Sequence, residues 1–167
     1  RPSIIHGSDG EFMQMVHDFW CKRFPPFVPY FGGGLFGRNG AGHLQPVWVE
    51  DVARCFAEAL TNLKAVNETY PVGGPDSLSW PQLYGTCGRY LPRCRKKRIV
   101  GIPAWYAGMI SSVPGVRGIL PFNHDQVIMS QEESTCKTAK LLHDFEFDLA
   151  PFEETFADYA DRIGLPL

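Results

Sequence analysis

The sequence predicts an α/β fold with parallel strands, part of a sheet larger than these residues can complete. Three observations carry this expectation. Short β-forming runs alternate with stretches of helical period along the 167 residues, and parallel strands need such crossover connections. Two or three runs at most read as core strands, too few for a parallel sheet, which needs cover on both faces. The chain also opens at Arg1 directly on a strand, which places the missing strands upstream. Residues 1–167 are therefore expected to form a single partial domain.

Each element has its own reason. Ile4 and Ile5 are β-formers, Pro2 suits a strand start, and Gly7-Ser8-Asp9-Gly10 is turn chemistry. Phe12, Met15, Val16, Phe19 and Trp20 then fall on one helical face. The stretch "PPFVPYFGGGLFGRNGAG" is too rich in Pro and Gly to predict regular structure. "HLQPVWV" reads as a short strand and "EDVARCFAEALTNL" as a helix. Asp51 is its expected cap, and Val52, Cys55, Phe56, Ala59 and Leu60 its apolar face. "ETYPVGG" is a third strand, expected to lie parallel to Arg1–His6 in one sheet and stopped by Gly73-Gly74-Pro75. Ser79 is the expected N-cap of "SWPQLYGTCGRYL", with Pro81 in the first turn. "RIVGIP" is a strand that leads into the helix "AWYAGMISSV". Helices around Phe122–Ser130 and Pro151–Ile163 close the chain.

Composition narrows the class of function. With 44% hydrophobic and 20% charged residues, the chain can bury a core. A net charge of −2 gives no global attraction to nucleic acid or an anionic membrane. The apolar run Ile99 to Val113 is too short to span a bilayer and holds Pro103 and Gly108. Five cysteines at irregular spacing read as reduced thiols, and the expected location is cytoplasmic.

Several blocks occur in a telling order: "RPSIIHG…F", "GGG…HLQPVWVEDVA", "ETYPVGGPDSLSWPQL", "VGIP" and "FNHDQV". Together they resemble the carboxy-terminal half of extended and atypical short-chain dehydrogenase/reductases. The similarity is greatest to the branch that includes the NADPH-holding accessory subunit of respiratory complex I. The resemblance covers nearly the whole chain. It implies the last strands of a Rossmann-type doubly wound parallel sheet, with the substrate-side helical subdomain. The dinucleotide-binding half would lie upstream.

By the same resemblance, Pro2 and Ser3 pass beside the nicotinamide ring of NAD or NADP. Ile4, His6, His43, Gln45 and Trp48 belong to the substrate side. Ile4 and Leu44 are apolar where sugar-nucleotide epimerases often carry a polar contact and an Arg, which weighs against a sugar-nucleotide substrate. Trp48 also has a plain reading as a core residue.

No catalytic residue is expected within the chain, since no Tyr is followed four residues later by Lys. "GGGLFG" matches G-x-G-x-x-G in form only: three prolines precede it and no helical period follows, so it reads as a substrate-side loop. The basic run "RYLPRCRKKR" has no aromatic interleaving and reads as a solvated loop, not a nucleic-acid site. The histidines and cysteines lack metal-ligand spacing. The chain alone should be inactive and hold a nicotinamide cofactor weakly. Its expected partners are a small-molecule substrate and either the missing half or a second copy on the open strand edge. A non-enzymatic assembly or quinone-pathway factor that keeps the fold is the alternative.

Overall fold

In a computed structural model the chain is a mixed α/β protein with short parallel pairings. The structure describes residues 1–32, 42–92, 94–111, 127–128 and 130–164. They fall into two compact units: Arg1–Gln14, Leu44–Leu78 and Ser134–Leu167 make the first, and Met15–His43 with Ser79–Glu133 the second.

In the first unit, β1 (Ile5–His6) pairs parallel with β4 (Val47–Trp48), Ile5 opposite Val47 and His6 opposite Trp48. Just before β1, Pro2 forms a parallel bridge with Val72. The Ser3 N–H donates to the Val72 carbonyl at 2.8 Å, and the Val72 N–H to the Arg1 carbonyl at 3.0 Å. The opening segment thus serves two neighbours in succession, residue 72 first and β4 second. The expected parallel alignment with 68–72 is present, but it amounts to one bridge.

Helix α2 (Val49–Ala59) follows β4 without a loop. Its N-cap is Trp48, not Asp51. The Asp51 carboxylate is buried and accepts the Ala150 N–H at 2.8 Å, so it ties down a distant segment. The expected apolar face is buried at Val52 and Cys55 only, while Phe56 and Leu60 are 73% and 87% exposed. Periodicity marks an apolar stripe, but only packing decides how far the core extends along it.

The core of this unit joins Val47, Val52, Cys55 and Val72 to Leu141, Phe145 and Leu149. Leu141 comes from α5 (Ala139–Asp144), a helix the sequence reading does not contain. Six residues are too few to display a period. Helix α6 (Phe152–Tyr159) buries Phe152, Thr155, Phe156 and Tyr159, spaced i, i+3, i+4, i+7. Asp76 accepts the Phe152 N–H at 2.8 Å, a favourable charge at a helix N-terminus.

The second unit is built on β2 (Phe27–Gly32) and β6 (Arg98–Pro103), parallel from Phe27 opposite Arg98 to Gly32 opposite Pro103. Strand β2 corrects the expectation of an irregular loop here. Proline is tolerated because alternate residues of a two-stranded ladder direct their N–H away from the partner. Val28 and Phe31 supply the apolar burial. Residues 33–41 of the Gly-rich stretch lie outside the described residues, as does most of the helix expected around Phe122–Ser130.

Helix α1 (Glu11–Cys21) contributes Val16, Phe19 and Trp20 to this interior. Helix α3 (Trp80–Tyr90) starts as expected at Ser79. The Gln82 side-chain oxygen accepts from the Ser79 N–H at 2.8 Å and from its hydroxyl at 2.7 Å. Gly88 lets α3 lie against Trp20, since a Cβ there would come within 2.5 Å of the indole. Helix α4 (Ala104–Ser111) opens after Pro103 and buries Ala107 beside Phe31 and Val127. Strand β3 (His43–Leu44) pairs with β5 (Leu78–Ser79), and Leu44 also bridges in parallel to Ser134.

Two further expectations are corrected in the second unit. Cys21 and Cys94 form a disulfide, with Cα atoms 4.4 Å apart, where reduced thiols were expected. An odd count at irregular spacing gives no sign of which cysteines the fold brings together. Within the basic run Arg95, Lys96 and Arg98 are exposed, as expected of a solvated loop, but Lys97 is half-buried: its ammonium donates to the carbonyls of Phe19, Lys22 and Pro25 at 2.6–2.8 Å. Desolvation, followed by the nearby Arg95, pulls its pKa below the usual lysine range. No helix among the described residues is long and apolar enough to cross a membrane.

Candidate functional site

Two of the residues assigned to the cofactor and substrate side meet on one segment. The Ser3 hydroxyl donates to the Ser134 carbonyl at 2.7 Å and lies 3.2 Å from the Ser134 hydroxyl. The Gln45 N–H donates to the same Ser134 carbonyl at 3.2 Å. The Gln45 side chain continues the connection. Its oxygen accepts the Cys136 N–H at 2.7 Å, and its amide nitrogen donates to the Gly74 carbonyl at 2.7 Å.

The local sequence explains this convergence. Gln45 sits buried between β3 and β4, where Pro46 interrupts the run. Gly73 and Gly74 follow the strand residue Val72. A Cβ at Gly74 would lie 2.0 Å from the Pro46 carbonyl oxygen, so the two backbones meet only because that residue is glycine. The cluster therefore stands just past Val72, whose contact with Pro2 is an isolated parallel bridge.

The chemistry of this cluster is neutral. It offers two half-buried hydroxyls, one buried amide with both ends satisfied, and one thiol. Burial raises the Cys136 thiol above its ordinary value, which disfavours the nucleophilic thiolate. Such a group can orient a polar ligand, but no member of it is equipped to move a proton near neutral pH.

The other assigned residues are placed elsewhere. Pro2 is exposed and bridged to Val72, and the Ile4 carbonyl accepts the Val47 N–H at 2.9 Å. Trp48 is half-buried at the start of α2. His43 belongs to the second unit, is exposed, and lies 3.6 Å from the Glu133 carboxylate. His6 is 1% exposed, hydrogen-bonded through Nδ1 to the Tyr159 hydroxyl at 2.8 Å and edge-on to Phe152. Its Nε2 has no hydrogen-bond partner among the described residues, and desolvation lowers its pKa to about 4, so it is a neutral core imidazole at physiological pH.

Sequence reasoning missed Ser134 and Cys136, which hold Ser3 and Gln45 in place. Nothing in "QEESTCKTAK" marks them, since their role arises only from a pairing 131 positions distant from Ser3.

No family model matches the chain, and no curated protein matches it. Among 21 chains of solved structures that match, one is the crystal structure of gox2253, with 19% sequence identity and a TM-score of 0.62. The alignment covers 95% of this chain and 46% of that one, so the chain spans about half the length of the protein it resembles. At this identity the likeness speaks for the fold alone, a mixed α/β architecture.

Proposed function

We propose that the chain is the substrate-side part of an NAD(P)-dependent dehydrogenase- or epimerase/dehydratase-like protein, with its doubly wound sheet completed by upstream sequence. The order of the blocks "RPSIIHG", "QPVWVEDVA" and "ETYPVGG" supports this reading. The observation that carries it is the meeting of Ser3 and Gln45 at Ser134–Cys136, beside the carboxyl end of Val72. There Pro2 and Ser3 would flank the nicotinamide and the amide-hydroxyl cluster would orient a small polar substrate. Hydride would pass between the nicotinamide and a carbonyl or hydroxyl carbon, and upstream residues would supply the proton. A cytoplasmic location belongs to the same reading.

The test compares two polypeptides by calorimetry with NADH and NADPH. A version that extends upstream of Arg1 should bind one of them, and Ser3→Ala should weaken that binding. The 167-residue chain alone should bind both poorly, because the groups that hold adenosine and pyrophosphate are upstream. Failure of the longer polypeptide to bind either cofactor, or micromolar affinity of the short one, would overturn the proposal.

A non-enzymatic reading has one observation in its favour. The Ser3–Gln45 cluster is uncharged, and the imidazole of His6, three residues on from Ser3, is buried and neutral. A cofactor-holding assembly protein needs no more than that. Cofactor binding without turnover of any carbonyl substrate would select it.

A further inference from the structure

Helix α1 places His17 and Cys21 four residues apart, hence on one face. The loop between α3 and β6 brings Cys94 to the same face, where it is bonded to Cys21. One ligand atom from each of the three lies within 4.8 Å of the others, and all three side chains are half-buried. This is the one such group of metal-ligating side chains among the described residues. Basic residues flank both cysteines in sequence. Lys97 fastens its ammonium to the carbonyls of Phe19 and Lys22, on either side of Cys21 in sequence, and Arg95 and Lys96 adjoin Cys94. Nearby cations favour ionised sulfur. The Asp18 carboxylate stands 3.8 Å from His17 Nδ1, beyond hydrogen-bond reach, and accepts from the Lys22 ammonium at 2.6 Å.

We propose that His17, Cys21 and Cys94 form a redox-gated site for a borderline-soft divalent cation of the Zn²⁺ class. In the disulfide form neither sulfur is available as a thiolate. A dithiol reductant delivers two electrons and two protons, the Cys21–Cys94 bond breaks, and the reductant leaves as its own disulfide. Zn²⁺ then displaces the two thiol protons to solvent and forms two bonds to sulfur and one to the neutral His17 imidazole. Two thiolates and one imidazole leave a fourth tetrahedral position open to water or a small ligand. The gate follows from the pairing: the same two sulfurs cannot be bonded to each other and to the metal.

The test uses the chain oxidised and after reduction by a phosphine, which does not compete for metal as a thiol would. Thiol titration in denaturant should find three thiols before reduction and five after. Anaerobic Co²⁺ should then give thiolate-to-metal charge-transfer absorption with the reduced chain only, one ion per chain, and Zn²⁺ should displace it. Outer-shell partners alone are worth about 10–100-fold in metal affinity, so Cys94→Ser or His17→Ala should cost at least about 100-fold. Cys55→Ala, at a free cysteine outside the group, should leave affinity unchanged. Far-ultraviolet circular dichroism of each variant separates loss of ligand from loss of fold. Equal Co²⁺ binding by the oxidised and reduced chains, or a reduced chain no tighter than the folded Cys94→Ser variant, would overturn the proposal.

Discussion

The His6 imidazole and the Tyr159 hydroxyl are hydrogen-bonded at 2.8 Å across 153 positions of sequence, fixing the first strand to the last helix. Phe152 packs edge-on against the ring, and Phe156 stacks on Phe152 in turn. An imidazole in this setting is held neutral by desolvation, with its pKa at about 4 against an ordinary 6.5. Between those values the unfolded chain takes up a proton that the folded chain does not. Stability should therefore be full above about pH 6.5, fall as the pH drops toward 4, and level off below it. The complete loss is on the order of 3 kcal/mol. Ring-proton chemical shifts should show His6 still neutral at about pH 5. A charged His6 at that pH would refute the assignment.

Removing the partner hydroxyl tests the same pair from the other side. Tyr159→Phe keeps the ring contacts with Phe156 but takes from His6 Nδ1 the hydroxyl it is bonded to. An unmade bond in a buried site costs about 1–3 kcal/mol. Urea unfolding should show a lower midpoint with an unchanged slope. An unaltered midpoint would mean that the bond contributes nothing.

The Gln45 amide holds two separate backbone segments, at Gly74 and at Cys136. Gln45→Leu keeps much of the volume and strands both groups. The expected loss is about 2–4 kcal/mol, from one buried and one half-buried partner at about 1–3 kcal/mol each with partial rescue by water. Amide hydrogen exchange should quicken at Cys136. Exchange that stays slow there would show that the clasp is dispensable.

Gly88 against Trp20 gives a steric prediction. A methyl group at this position meets indole carbons at 2.5–2.9 Å, so Gly88→Ala should destabilise despite the better helix propensity of alanine. Overpacking of this kind costs about 1–3 kcal/mol. The near-ultraviolet signal of tryptophan should change with it. Gly85→Ala, whose Cβ meets nothing within 4 Å, is the control and should be neutral or stabilising.

The opening strand bears on self-association. Ile5 is 39% exposed, whereas Ile4 is half-buried and its carbonyl is taken by Val47. If the chain pairs with a second copy along this edge, Ile5→Lys should dissociate it without loss of fold, since a charge on an open edge opposes strand addition. Sedimentation of the unaltered chain as a monodisperse monomer would rule the pairing out.

What the sequence determined by itself is what is local or periodic. The Ser79 cap, the eight-residue α6 from Phe152 to Tyr159, and the strand "RIVGIP" follow from propensity and spacing over a few residues. The parallel relation of the opening segment to Val72 follows too, because alternation of element types constrains direction. Tertiary structure decided the rest. It made a strand of the proline-bearing Phe27–Gly32 by giving it β6 as a partner, and a cross-link of Cys21 and Cys94, 73 positions apart. It left Phe56 and Leu60 exposed on a helix whose period predicts burial, because the core ends at Cys55. It also buried His6 and joined Ser3 to Gln45 through Ser134 and Cys136. The physical reason is common to these cases: each depends on a partner far away in sequence, and neither propensity nor period records which distant residue will arrive.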